Sequence, residues 1–250
     1  MTLTERLKSH PFAVAAHFRY SLVFTYAAPA VELQALLPAC LQADSHGEHG
    51  FVAAALVQTT GLRPAIFPSW MGQSFLLAGY RIFVRYTTSQ GKRLRGLYIL
   101  QSQTDKVGMA VLGNLMTHYN YYSIDVSRQE QADSWRLQSV QGGWQVHASM
   151  PVDTAIPLLA TSVFDNWQQA RRFAGPLPFT FSYLPAQNSV LMVEGVRADW
   201  VPQPLLVHAH HFEVVQRLPL SYCRLANAFA VRNIDYKWKR GIIDPWQPIE

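Results

Sequence analysis

The segment Thr117-His118-Tyr119-Asn120-Tyr121-Tyr122 gathers residue types that move protons. An imidazole titrates near neutrality and a phenol can donate or accept beside it, so His118, Tyr119 and Tyr121 form a candidate catalytic acid/base set. The alternative for the tyrosines is an ordinary place in a core or rim with their hydroxyls hydrogen-bonded. A second candidate is Arg81, in the run GYRIFVRY from Gly79 to Tyr86. Period-two alternation puts Tyr80, Ile82, Val84 and Tyr86 on one face of a strand, and Gly79, Arg81, Phe83 and Arg85 on the other. A face carrying arginines cannot lie wholly in apolar surroundings, so it looks into water or a polar cavity. Between His49 and Thr104 there is no Asp or Glu, yet Arg63, Arg81, Arg85, Lys92, Arg93 and Arg95 lie there. Either distant carboxylates pair with these cations, or positive potential stays free for an anionic ligand. The third candidate is the run HAHH. His208 and His210 would project from one strand face about 7 Å apart, with Glu213 or His147 as further ligands of a metal; the alternative is a wet, His-rich face. No GxSxG, Walker, GxGxxG or HExxH pattern occurs, which removes the commonest hydrolase, nucleotide and zinc-protease readings.

These residues need elements to hold them. GYRIFVRYT and RLRGLYIL read as a hairpin across the polar turn SQGK, followed by a helix capped by Asp105 and running to about Thr117, then a strand over residues 119–126. Ahead of the hairpin come a short helix opened by Thr2 with capping-box spacing to Glu5, a strand over residues 17–26, a helix in VELQALLP, and the apolar strand FVAAALVQTT. Beyond it, residues 135–140 and 144–149 form a tight hairpin at Gly142-Gly143. Residues 162–173 read as a helix capped by Ser162 and closed by Gly175. Four further apolar stretches alternate with turns. Many antiparallel-type strands with a few short helices make this an α+β or closed-barrel chain, expected to be a single domain over residues 1–250.

The order of these segments resembles a known family. HFRYSLVFTYAAPAVELQALLPACLQ, an apolar strand, FLLAGYRIFVRY, a glycine-bearing strand and a D-helix-HYNYYSIDV segment are similar to the DUF2071 proteins, an uncharacterised family similar to the acetoacetate decarboxylase superfamily. The resemblance covers Pro11 to Ile124 most closely. It implies an antiparallel β-barrel of acetoacetate decarboxylase-like type, with an apolar central cavity and a few short helices packed outside. It also implies a role for Arg19, which matches the arginine that lines the decarboxylase pocket and would join Arg81 in ligand binding. The superfamily's nucleophilic lysine has no counterpart in THYNYYS. Leu77-Ala78-Gly79 stands where family members carry Glu-x-Asn, so the decarboxylase groups are missing together.

Charge and composition bound the partners. The chain of 250 residues is 49% apolar and 15% charged, with a net charge of +5. Its basic residues are scattered and build no phosphate-tracking stripe, so no nucleic-acid partner is expected. Cys40 and Cys223 lack the spacing of a disulfide framework or a thiolate metal site. No apolar run approaches the ~20 residues that span a bilayer, and no membrane association is expected; the default location is the cytoplasm. No cofactor is implied, and the resemblance suggests a homo-oligomer. The expected function is a cavity that binds a small, anionic organic molecule without Schiff-base chemistry. The alternatives are a lyase-like enzyme acting on a keto acid through His, Tyr and Arg groups, or a non-catalytic scaffold. Borohydride treatment in the presence of a keto acid is expected to leave no covalent adduct, read by intact mass; a stable adduct on a lysine would overturn the amine-free reading.

Overall fold

The computed structural model describes residues 3–152, 158–174 and 177–247. Twelve strands form one large sheet. Its main members are β1 (Val14–Pro29), β2 (His49–Pro64), β3 (Gln73–Thr87) and β4 (Arg93–Thr104). The second, separate sheet begins with β5 (Val126–Gln131), β6 (Ser134–Ser139) and β7 (Trp144–Ser149). The large sheet then resumes with β8 (Phe179–Leu184) and β9 (Ser189–Arg197), the small one gains β10 (Leu206–Phe212), and the large one ends with β11 (Arg224–Trp238) and β12 (Ile242–Pro245). Neighbours run β11-β1-β2-β3-β4-β8-β9-β12, and the end of β9 also pairs with the end of β11 through Gly195–Trp238, Val196–Lys237 and Arg197–Tyr236. The small sheet runs β10-β7-β6-β5.

The helices are short: α1 (Leu3–Lys8), α2 (Ala30–Ala35), α3 (Val107–Met116) and α4 (Trp167–Ala174). Two of the expected caps are taken up differently. Asp105 does not cap α3, whose preceding residue is Lys106; its Oδ1 accepts the Leu76 N–H at 2.8 Å and its Oδ2 pairs with Arg128. A carboxylate so engaged ties the small sheet to β3 and cannot also turn toward a helix terminus. α4 starts at Trp167, not at residue 162, because Asn166 Oδ1 accepts the Gln169 N–H at 2.9 Å and Gln169 Oε1 accepts the Asp165 N–H, a reciprocal cap. Ser162 caps only a turn, accepting the Phe164 N–H. The expected roles of Thr2 and Gly175 lie outside the described residues.

Both faces of the large sheet are apolar, which is why β2 reads as an almost unbroken apolar run. On one face, Leu22, Phe24, Leu56, Tyr80 and Ile82 pack in a core that includes Trp135, Leu137, Trp144 and Val146 of the small sheet. On the other, Val23, Phe51, Ala53, Val57 and Phe83 pack with Phe164, Phe173 of α4 and Phe229 of β11. The pairing is not wholly antiparallel as expected. β4 runs parallel to β8, with Phe179, Thr180 and Phe181 opposite Gly96, Leu97 and Tyr98, because the chain leaves the large sheet after β4, builds most of the small sheet and returns from the far end. Residues 121–123 likewise pair parallel to β4.

The acid-poor stretch is partly neutralised from just outside it. The fully buried carboxylate of Asp44 takes Arg85 Nε at 2.5 Å on one oxygen and Arg95 at 2.6 Å on the other. The arginine side chains are 50% and 36% exposed, so without Asp44 their charges can turn to water. Asp44→Ala is therefore expected to destabilise by about 2 kcal/mol, short of the cost of stranding a buried charge. Chemical denaturation checks this, and a loss under about 0.5 kcal/mol would remove the triad from the fold's supports. A second test is pH. Asp244 accepts hydrogen bonds from Tyr86 (2.5 Å) and from the Ser89 hydroxyl (2.7 Å) and N–H (2.8 Å). Burial alone would raise its pKa; these donors outweigh it and hold the carboxyl below its ordinary value of 3.8. The folded state thus binds this proton less readily than the unfolded one. Its stabilisation is whole above about pH 4 and is lost as pH falls through the lowered value, and Tyr86→Phe is expected to weaken that acid dependence in melting curves.

Candidate ligand-binding site

The second face of the large sheet, α3 and the segment around His10 line a partly open cavity of about 440 Å³. Its wall is chiefly apolar, with Val57, Leu77, Ile99, Met109 and Phe229 among the contributors. The polar exceptions carry the chemistry. Arg63, Arg81 and Arg197 line it, and no Asp, Glu or Lys does among the described residues. The chain's lysines are Lys8, Lys92, Lys106, Lys237 and Lys239.

Arg81 arrives by the alternation of β3, with Leu77, Gly79 and Phe83 also on the cavity side. Its backbone sits between Ala53 of β2 and Ile99 of β4, at a register shift in the β3–β4 pairing. The extra residue is Leu100 on β4, so the alternation of β3 runs unbroken through Arg81. Among the described residues its guanidinium has neither ion pair nor hydrogen bond, and its Nε is buried with no partner. Burial pushes the Arg81 pKa down to about 10. The neighbouring Arg197 pushes the same way, and the phenols of Tyr236 and Tyr121 oppose it. At neutral pH the group is still a full cation.

Two tyrosines stand beside it, each admitted by a glycine. A Cβ on Gly113 of α3 would lie 2.4 Å from the ring of Tyr121, so only glycine lets that ring rest on the helix. Asn114 fixes the same residue from its backbone, its Oδ1 accepting the Tyr121 N–H and its Nδ2 donating to the Tyr121 carbonyl, both at 2.8 Å. On the opposite wall a Cβ on Gly195 would lie 2.0 Å from the Tyr236 hydroxyl. Arg197 Nη1 donates to that hydroxyl at 2.7 Å, and its guanidinium lies 4.4 Å over the ring of Trp200. Tyr236 stacks with Phe18 at 4.9 Å and meets Trp238 at 4.5 Å, an aromatic wall against the cavity. Burial pushes the Tyr121 phenol up to about 12, with Arg81 opposing. It also raises Tyr119, whose neighbouring phenol adds to the shift while a hydrogen bond with Thr180 of β8 offsets part of it.

The structure divides the residues expected from the sequence. Tyr119, Tyr121 and Arg81 line one cavity. His118 does not join them: it lines a separate small cleft with Glu5, Ser9 and Tyr183, and burial followed by Lys8 lowers its pKa. Arg19 does not share the cavity either. It is the extra residue of a bulge, since Phe18 pairs with Thr59 and Tyr20 with Gln58, which turns it outward; its side chain is 60% exposed and lies 3.7 Å from Glu130. The strand histidines belong to the small sheet. His208 meets Ser149 at 2.9 Å and stacks near His147, while His210 bonds the Tyr26 hydroxyl at 2.7 Å. Among the described residues no group of three or more His, Cys, Asp or Glu could hold a metal ion. No helix among them is long and apolar enough to cross a membrane.

The sequence reading missed Arg197, Tyr236 and His10. His10 takes a left-handed backbone (φ 55°), lines the cavity, and keeps a buried Nδ1 without a partner; burial lowers its pKa, so it is neutral at pH 7. The sequence signal for the first two was Gly195, a glycine within the strand-like run SVLMVEGVR.

The fold is acetoacetate decarboxylase-like. Acetoacetate decarboxylase from Legionella pneumophila superposes with a TM-score of 0.58 at 14% identity, covering 93% of this chain and 87% of that one. An acetoacetate decarboxylase-like enzyme from Sphingomonas wittichii RW1 gives 0.56 at 14% identity, covering 100% and 98%. The enduracididine biosynthesis enzyme MppR, complexed with pyruvate, gives 0.55 at 11% identity, covering 93% and 90%. At these identities the likeness is one of fold. No curated protein matches the chain in sequence. The chain belongs to the DUF2071 family, described as an uncharacterised conserved protein, whose profile matches residues 15–228.

The glycine contact generates a prediction. By helix propensity Gly113→Ala should stabilise α3 by up to about 1 kcal/mol. The clash with Tyr121 reverses the sign, and a net loss of about 1–3 kcal/mol is expected. In the double variant with Tyr121→Ala the penalty of the glycine change should vanish. Additive losses in this cycle would mean that Gly113 does not seat Tyr121.

Proposed function

We propose that this protein binds a small organic anion in the cavity, its carboxylate gripped by Arg81 and supported by Tyr121, Tyr236 and Arg197. The observation that carries the reading is the Arg81 guanidinium, set in an apolar wall with no acid among the described lining residues and no hydrogen-bond partner among them. A half-buried charge in an apolar wall, with its Nε buried and unpartnered, is costly, and an anion presenting two oxygens to the planar fork offsets that cost. In this reading the large sheet is a barrel around the ligand, joined where β9 meets β11. The pyruvate complex of one fold neighbour is consistent with a carboxylate ligand. Amine chemistry is absent from the reading, because no lysine lines the cavity.

A second reading rests on His10. A neutral imidazole and two phenols lining one cavity could move a proton next to a carbonyl, a lyase-like step needing no covalent intermediate. Exchange of the α-protons of a bound keto acid in D₂O, followed by NMR, is its test; exchange no faster than in buffer leaves the binding reading alone.

Two outcomes test the main proposal. In a thermal-shift series, carboxylates should raise the melting temperature and their amides should not, a saturating ligand at a hundredfold excess over Kd adding about 2.7 kcal/mol. Arg81→Met should abolish the shift, an affinity loss of about 2–5 kcal/mol, whereas Arg19→Ala should keep it. Equal shifts for Arg81→Met and the parent protein would defeat the proposal. The pH dependence follows from the lowered Arg81 pKa of about 10. Arg81 is charged below that value and loses its charge as pH rises through it, so affinity should be level from about pH 6 to pH 9 and weaken above about pH 10.

A further inference from the structure

Resting on the anion-binding reading, we infer that the ligand is an amphipathic monocarboxylic acid, a single carboxylate on Arg81 joined to an alkyl or aryl body of about eight carbons or more, and not a short keto acid. Three features of the cavity carry this. The first is size. A volume of 440 Å³ is about fifteen times the ~30 Å³ share of one liquid water molecule. A three- or four-carbon acid held at Arg81 would leave most of that space without contacts, and dispersion and burial reward only a body that fills it.

The second feature is the wall. Away from Arg81 the lining is aliphatic and aromatic, from Val57, Leu77, Leu97 and Ile99 on the sheet to Met109 and Met116 on α3. Methionines on one side and stacked aromatic rings on the other suit an apolar body of variable outline. The third feature is the count of unengaged cations. Arg63 is spent on backbone, donating to the Phe67 carbonyl at 2.9 Å and the Gly61 carbonyl at 2.8 Å. Arg197 donates to Tyr236 and lies over the Trp200 ring. Arg81 is the lining arginine with no hydrogen bond, ion pair or ring contact among the described residues, whereas Arg197 leaves only its Nε without a partner, so the supply of free donors fits one carboxylate on Arg81.

The test is a chain-length series of straight-chain carboxylates from four to twelve carbons, each below its micelle concentration, with primary alcohols of the same lengths. Binding is measured by calorimetry on the intact protein. Affinity is expected to climb about fourfold per methylene until the cavity is full, each alcohol binding at least tenfold more weakly than its acid. The cavity-filling variants Leu77→Trp and Ile99→Phe should truncate the climb at shorter chains; two variants are used so that a folding failure in one leaves the other. The climb separates this cavity from adventitious apolar surface, because surface binding would survive both variants. Short acids binding as tightly as long ones would overturn the inference and leave the anion-binding reading standing. Alcohols binding as tightly as acids would overturn that reading, and this inference with it. No binding by any member would defeat both.

Discussion

A charge placed in an apolar wall without a counter-charge is the constraint around which this structure is arranged. The sheet could have neutralised Arg81 as it neutralises Arg85 and Arg95, which share the buried carboxylate of Asp44. Instead, the nearest electrostatic partners of Arg81 are a second guanidinium and two phenols. Phenols can turn a dipole toward a cation but cannot cancel it, and burial has already cost the group part of its affinity for a proton. The residues that line the cavity are compatible with this arrangement: none of the described ones is acidic, and burial lowers the His10 pKa and holds its imidazole neutral. The field inside is therefore positive and steady through the physiological range.

The scaffold is built to keep that arrangement from collapsing. Each face of the large sheet has its own apolar cluster, so the strands are fixed by packing on the small sheet and need no contact across the cavity to stay in place. The two phenols that flank Arg81 are held by shape. Gly113 and Gly195 give up a side chain where the ring of Tyr121 and the hydroxyl of Tyr236 come closest, and Asn114 pins the backbone of Tyr121 twice. A glycine inside a helix is unfavourable by itself. Its presence in α3 is accounted for by the ring it admits.

How much of this was legible depends on how far each residue's placement depends on local chain geometry. Arg81 was legible because strict alternation in β3 holds from Leu77 to Phe83, and because a stretch without acids left its charge unexplained. Arg19 was assigned to the cavity by family resemblance alone, and one extra residue in β1 turns its side chain outward, which neither the resemblance nor the sequence pattern could show. His118 was grouped with its neighbours by adjacency, but of the three candidate residues Tyr119 and Tyr121 reach the cavity and His118 faces a separate cleft. Arg197 and Tyr236 face Arg81 only once β9 and β11 come together, a long-range pairing that no local pattern encodes. The fold class came through the order of segments; the parallel β4–β8 pairing and the separate small sheet did not, since both follow from where the chain leaves and re-enters the large sheet.

The same geometry bears on why a fold shared with acetoacetate decarboxylase need not carry that chemistry. An amine that forms a Schiff base must lose its proton and offer a lone pair to a carbonyl carbon. A guanidinium keeps its proton under nearly all conditions and offers only donors, so it can hold a carboxylate in place but cannot form that bond. In the proposed reading the cation is therefore a fixed anchor, and any reaction would fall to groups able to exchange a proton near neutrality. Burial pushes Tyr119 and Tyr121 up and away from that range, and it lowers His10 as well, so that among the described lining residues His10 is a neutral imidazole. The proposed binding role asks of Arg81 only that it stay charged, whereas a proton transfer would ask an imidazole held neutral by burial, on a backbone turned left-handed at φ 55°, to change its charge.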